Sequence, residues 1–137
     1  MRCMFDTDTL SALVHQRTGF ERAVARIDPL ALTDRLISTI TLSELQTMIA
    51  KAHDPQTKAA KVWAVLTRFR IVDFDEHAAR HAGEIRAALE PRGAQIGPLD
   101  TLMAAHARSV GATAITANLR EFRRVPALAA QNWLSAP

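Results

Sequence analysis

Cys3 is the only cysteine in this 137-residue chain, which excludes an intramolecular disulfide and any cysteine-based zinc site and fits a reducing cytosol. Long apolar runs are missing too. No stretch could span a bilayer, and the run from Met1 to Phe5 meets Asp6 too early for a signal-peptide core, so the expectation is a cytoplasmic protein with no membrane role. Lysine is scarce. Only Lys51, Lys58 and Lys61 occur, so the remaining cations are arginines, whose planar fork suits phosphate, although a GC-rich genome also yields arginine-rich chains. Repeats, low-complexity tracts and linkers are absent, which leaves one domain over residues 1–137.

What is present is ordinary for a globular chain: 48% hydrophobic and 23% charged residues. Seventeen basic against fourteen acidic side chains leave a net charge of only +3, which tolerates a nucleic-acid partner without requiring one.

Local patterns alternate strand with helix. Met1 to Phe5 reads as a buried strand ending in Asp6, followed by a helix carrying Leu10, Leu13 and Val14, with Asp8 or Thr9 as N-cap. A further helix spans 20–27, and Leu36 to Ile40 forms a second strand. Thr41 to Glu44 then opens a helix bearing Leu45, Met48 and Ile49. Asp54-Pro55 starts a helix running to about Phe69, with Val62, Trp63, Val65 and Leu66 inward. A third strand at 71–74, a helix at 76–89 capped by Asp75, and a helix from Pro98 to Val110 stopped by Gly111 come next. A fourth strand spans 113–116, and Asn132 to Leu134 suggests an edge strand. The pattern implies an α/β fold with a mostly parallel sheet of four to five strands between helical layers. Ligands of such sheets bind beyond the carboxyl ends of the strands.

Asp6, Glu44 and Asp100 stand near three separate strand exits. Carboxylates about 4 Å apart repel by roughly 1–4 kcal/mol, so a cluster needs compensation, and hard oxygen donors suit Mg²⁺ or Mn²⁺. Such an ion activates water and offsets charge developing on a phosphodiester. Singly, each acid also fits a structural role: Thr41-x-x-Glu44 is a capping box, Asp100 lies in the first turn after Gly97-Pro98, and Asp8 suits an N-cap. Asp6 is the one that capping leaves unexplained.

Four stretches resemble the motifs of PIN-domain toxins of the VapC type. They are Met4-Phe5-Asp6-Thr7-Asp8-Thr9-Leu10, Thr39-Ile40-Thr41-Leu42-Ser43-Glu44-Leu45, Ile96-Gly97-Pro98-Leu99-Asp100-Thr101-Leu102-Met103-Ala104-Ala105-His106-Ala107, and the segment from Thr116 to Pro126, together with Asn132-Trp133. The resemblance implies a three-layer α/β/α PIN-like fold and a Mg²⁺- or Mn²⁺-dependent endoribonuclease. By the same resemblance the partners are a VapB-type antitoxin, RNA and a second copy of the chain. It assigns Asp6, Glu44 and Asp100 as metal-binding and catalytic acids. Asp8 departs from a common Asn, and Asn118 stands where many PIN domains carry a fourth acid, so either Asn118 or Glu121 serves there. Thr116 is placed to orient water or a carboxylate, and Arg120 and Arg123, with Arg124, to contact phosphate.

Other signals weigh less. His77, His81 and Glu84 share a helix face at metal-like spacing, but Ala78 occupies the place a zinc-protease glutamate requires. His106, about 240° around its helix from Asp100, suits packing or a dimer contact. Asp6-Thr7-Asp8-Thr9-Leu10 also fits the opening of a haloacid-dehalogenase phosphatase with Asp6 as nucleophile, although the lysine and late acidic pair of that fold have no evident counterpart. A non-catalytic RNA-binding PIN module is the remaining alternative.

Overall fold

The computed structural model describes residues 1–136. Five short strands pair, all in parallel: β1 (Cys3–Phe5), β2 (Arg35–Ser38), β3 (Arg70–Val72), β4 (Thr113–Ile115) and β5 (Ala130–Gln131). Their order across the sheet is β3-β2-β1-β4-β5. Seven α-helices connect them: α1 (Thr7–Val14), α2 (Phe20–Ile27), α3 (Thr39–Lys51), α4 (Pro55–Leu66), α5 (Glu76–Leu89), α6 (Pro98–Ser109) and α7 (Leu119–Phe122). The chain builds outward from β1 through β2 to β3, then crosses back to β4, so the direction of winding reverses between β1 and β4. Ligands of open parallel sheets settle in the crevice at such a reversal.

The two-residue period of a strand decides which layer each side chain joins. Met4, Leu36 and Ala114 face one side, packed with Ile85 and Leu89 of α5 and Met103 of α6. Cys3, Phe5, Ile37 and Ile115 face the other, against Leu10, Leu45, Ile49, Val62 and Leu66. Phe5 anchors that second layer through edge contacts with Phe69 and Trp133, at 5.1 and 5.6 Å between ring centroids. Burial pushes the Cys3 thiol up to about 11, which keeps it protonated and inert. Among the described residues no helix is long and apolar enough to cross a membrane.

Several boundaries move. Ser38, the last residue of β2, accepts a hydrogen bond from the Ile40 backbone N–H at 3.1 Å and so starts α3 at Thr39; Thr39 and Ile40 are helical, not strand. The Thr41-x-x-Glu44 capping box therefore does not form, and Glu44 lies in the second turn. At α1 the cap is Asp6, whose Oδ1 accepts from the Thr9 N–H at 2.8 Å, rather than Asp8 or Thr9. Capping does explain Asp6, in part. The third strand spans Arg70–Val72, α4 ends at Leu66, and α6 ends at Ser109 before Gly111, which adopts φ +67°. The edge strand is Ala130–Gln131, not 132–134, because Trp133 turns into the core instead. Trp63 points outward, 44% exposed, one position off the buried stripe formed by Val62 and Leu66.

Candidate active site

Asp6 follows β1, Glu44 lies on α3 and Asp100 on the first turn of α6, yet all three line one cleft together with Thr7, Asp8, Thr41 and Met103. The cleft is small, about 50 Å³, and lies at the carboxyl edge of the sheet beside the β1–β4 reversal. No lysine lines it, which removes the phosphate-holding partner a dehalogenase-like phosphatase needs.

Each acid is oriented by a neighbour. Asp6 is 6% exposed, and burial raises its carboxyl above the usual range, while hydrogen bonding from Thr116 and Thr9 favours the charged form. Thr116, the first residue beyond β4, is thus placed to steady a carboxylate. The Thr7 hydroxyl donates to Glu44 Oε1 at 2.6 Å. Asn118 Nδ2 donates to Glu121 Oε2 at 2.7 Å, and the Asn118 backbone N–H donates to the Thr116 hydroxyl at 2.9 Å.

Asp100 reports the electrostatics of the whole cluster. Its carboxyl is raised to about 6, first by burial and then by the charges of Asp6, Glu121, Glu44 and Asp8. Neither candidate for the fourth position lines the cleft, although the charge of Glu121, which Asn118 holds by a hydrogen bond, is felt at Asp100. Among the described residues, no three Asp, Glu, His or Cys side chains converge as a complete ligand set.

A stability prediction follows from Asp100. In the unfolded chain its carboxyl titrates near 3.8 and in the folded chain near 6, so the folded state binds more protons between those values. Without divalent cations, stability should therefore fall as pH rises from about 4 to 6.5, with roughly 1–2 kcal/mol of the loss due to this group. Asp100→Asn should remove that part of the slope and melt higher than the parent at pH 7.5; urea unfolding of both proteins across this range checks it.

The remaining residues divide. Arg120 and Arg123 are exposed on and just past α7, outside the cleft lining but next to Glu121 in sequence. Arg124 instead donates to the Gln95 carbonyl at 3.4 Å, tying this segment to the loop before α6. Arg86 pairs with Glu90 at 2.9 Å. The His81 and Glu84 pair is occupied by Arg108, at 2.8 and 3.0 Å, so that face holds an arginine rather than a metal. His106 is fully buried, edge-on to Phe74 and 2.7 Å from Ser38 Oγ; burial lowers its basicity, and it presents nothing to a second copy of the chain. Thr7 and Thr41 are the residues that motif reading missed. Thr41 was hidden by the capping-box pattern, and Thr7 carried no signal beyond its place beside Asp6.

Comparison with known proteins agrees with this geometry. Residues 3–128 match the PIN domain family. The chain is 35% identical over 134 residues to the tRNA(fMet)-specific endonuclease VapC of Salmonella typhimurium, covering 97% of this chain and 98% of that protein. It is 41% identical over 98 residues to a ribonuclease VapC of Haemophilus influenzae, covering 72% and 74%. Among solved structures, DNA-bound VapBC from Salmonella typhimurium superposes with a TM-score of 0.89 at 35% identity, covering 97% of this chain and 98% of that one. VapBC2 from Rickettsia felis, bound to a DNA fragment from its promoter, gives 0.88 at 30% identity, covering 97% and 99%.

Proposed function

The chain belongs to the PIN-domain family and, within it, to the VapC ribonucleases, and from that premise we propose that it is a divalent-cation-dependent endoribonuclease, the toxin of a pair silenced by a VapB-type antitoxin. The observation that carries this reading is the single cleft shared by Asp6, Glu44 and Asp100, where burial and then neighbouring charges raise the proton affinity of Asp100.

The donor set suits a hard cation. Every charged side chain lining the cleft is a carboxylate, with no thiolate, imidazole or cationic group among them. Asp6, Glu44 and Asp100 would hold Mg²⁺ or Mn²⁺, with Glu121 and Asp8 adding negative charge nearby. When bound, such an ion lowers the pKa of water and offsets charge on the phosphodiester. The chain's own contribution is orientation. Thr9 and Thr116 steady Asp6, Thr7 steadies Glu44, and Asn118 steadies Glu121, which limits how far each carboxylate must move to reach a shared cation. Arg120 and Arg123, exposed beside Glu121, are the proposed contacts for RNA phosphates flanking the scissile bond.

The deciding experiment incubates purified protein with total cellular RNA in Mg²⁺, in Mn²⁺ and in EDTA, and maps the new 5′ ends. Discrete cuts should appear with either cation and vanish with EDTA, and the VapB-type partner should suppress them. Cuts that persist undiminished in EDTA would refute the cation requirement; no cuts under any condition would favour a non-catalytic RNA-binding module.

A further inference from the structure

Thr41 carries a buried hydroxyl with no partner. The residue is fully inaccessible, and its Oγ1 makes no hydrogen bond. Inside a helix, a threonine or serine hydroxyl ordinarily donates to the carbonyl three or four residues back. Other helical hydroxyls of this chain take that outlet: Ser43 donates to the Ile40 carbonyl, Thr47 to Ser43 and Thr101 to Gly97, at 2.7 to 3.1 Å. Thr41 does not.

Its surroundings say what the hydroxyl is for. Thr41 lines the acidic cleft, where Asp6 Oδ1 accepts from the Thr9 N–H and Glu44 Oε1 from the Thr7 hydroxyl, and none of the cleft's carboxylates bonds the Thr41 hydroxyl. The space of about 50 Å³ admits a water or two, or a small ion with part of its hydration, but not a base or a ribose. An unpaired buried hydroxyl carries its full desolvation cost unless something in the cleft completes it.

We propose that the Thr41 hydroxyl is a positioning group for the cation site, bonding a hydration water that links it to the divalent ion held by Asp6, Glu44 and Asp100. The proposal rests on the metal-dependent reading above. Mg²⁺ and Mn²⁺ retain waters whose protons need acceptors, and the hydroxyl oxygen supplies one on the side of the cleft formed by α3. Residues that orient an ion's shell in this way typically change its affinity by 10- to 100-fold.

The test measures thermal unfolding of the full chain in EDTA and across a Mn²⁺ series, for the parent, Thr41→Val and Thr41→Ser. Valine keeps the shape and deletes the hydroxyl, and serine keeps the hydroxyl. In EDTA, Thr41→Val should melt at or above the parent temperature, since an unpaired polar atom has been removed. The Mn²⁺ concentration giving half-maximal stabilisation should rise about tenfold in Thr41→Val and stay within about threefold in Thr41→Ser. An unchanged Mn²⁺ midpoint in Thr41→Val overturns the proposal while leaving the metal reading intact. A Thr41→Val protein that melts well below the parent in EDTA, with serine restoring it, overturns the proposal in favour of a purely structural bond. A parent that Mn²⁺ does not stabilise overturns the metal reading and this inference together.

Discussion

Asp100→Asn and Asp6→Asn should each lower the rate of RNA cleavage by about 10³-fold or more, a loss of roughly 4 kcal/mol in transition-state stabilisation. The two carboxylates reach the cleft from different elements and cannot replace one another. Asp6 is fixed by Thr9 and Thr116 at the end of β1, and Asp100 sits at the start of α6, where its charge is opposed by four other acids. The amides keep nearly the same shape but weaken cation binding, and they should leave the fold intact. Single-turnover cleavage of a mapped RNA site checks the rate, and growth on induction checks toxicity. Cleavage within tenfold of the parent in both variants would remove these acids from the chemistry. The pair also distinguishes reaction classes, because an aspartyl-phosphate mechanism would be abolished by Asp6→Asn alone.

Gly19→Ala should destabilise the protein by roughly 3 kcal/mol or more and lower the melting temperature by about 10 °C. Gly19 joins α1 to α2 at φ +90°, and a Cβ placed there would lie 1.9 Å from the Leu134 carbonyl oxygen. Two costs combine, since an L side chain resists that backbone conformation and the carbonyl cannot yield without moving the bend that follows β5. Trp133 precedes that carbonyl. It is buried against Phe5, with the Arg26 guanidinium 4.8 Å from its ring centroid, so displacement should expose it and shift tryptophan emission to longer wavelength. Trp63, already half-exposed, contributes a constant background. Gly83→Ala gives the opposite sign: a Cβ there meets nothing within 4 Å on the exposed face of α5, and a stabilisation of about 0.5–1 kcal/mol is expected. Equal melting temperatures for Gly19→Ala and the parent would show that the segment around Leu134 is not held against the α1–α2 turn.

Motif reading and structure part company at identifiable residues. Asp6 was legible because a short apolar run ends in it and marks a strand exit. Glu44 follows β2 by one helical turn, but Asp100 does not stand at a strand exit as expected, since α6 follows α5 and a loop, and only its place in the first turn of a helix marked it. Helix α5 was legible to the residue because Asp75 caps it and Leu89 ends its apolar stripe. Strand β2 was overextended because Thr39 and Ile40 favour strands in isolation, and only the Ser38 side chain, which also meets His106 of α6, commits them to helix. Trp63 was misplaced by one helical position, since a hydrophobic residue beside a buried stripe is as apolar as one within it.

Residues a few positions apart interact whatever the remainder of the chain does, so strand and helix periodicity, caps and the presence of three isolated acids follow from the amino-acid order alone. The strand order β3-β2-β1-β4-β5 depends on pairings such as that of Cys3 with Thr113, between segments more than a hundred residues apart, and with it came the meeting of Asp6, Glu44 and Asp100 and the unanswered Thr41 hydroxyl. Helix hydrogen bonds, caps and side-chain spacing are short-ranged along the chain, whereas a cleft exists only after long-range strand pairing and burial have brought its walls together.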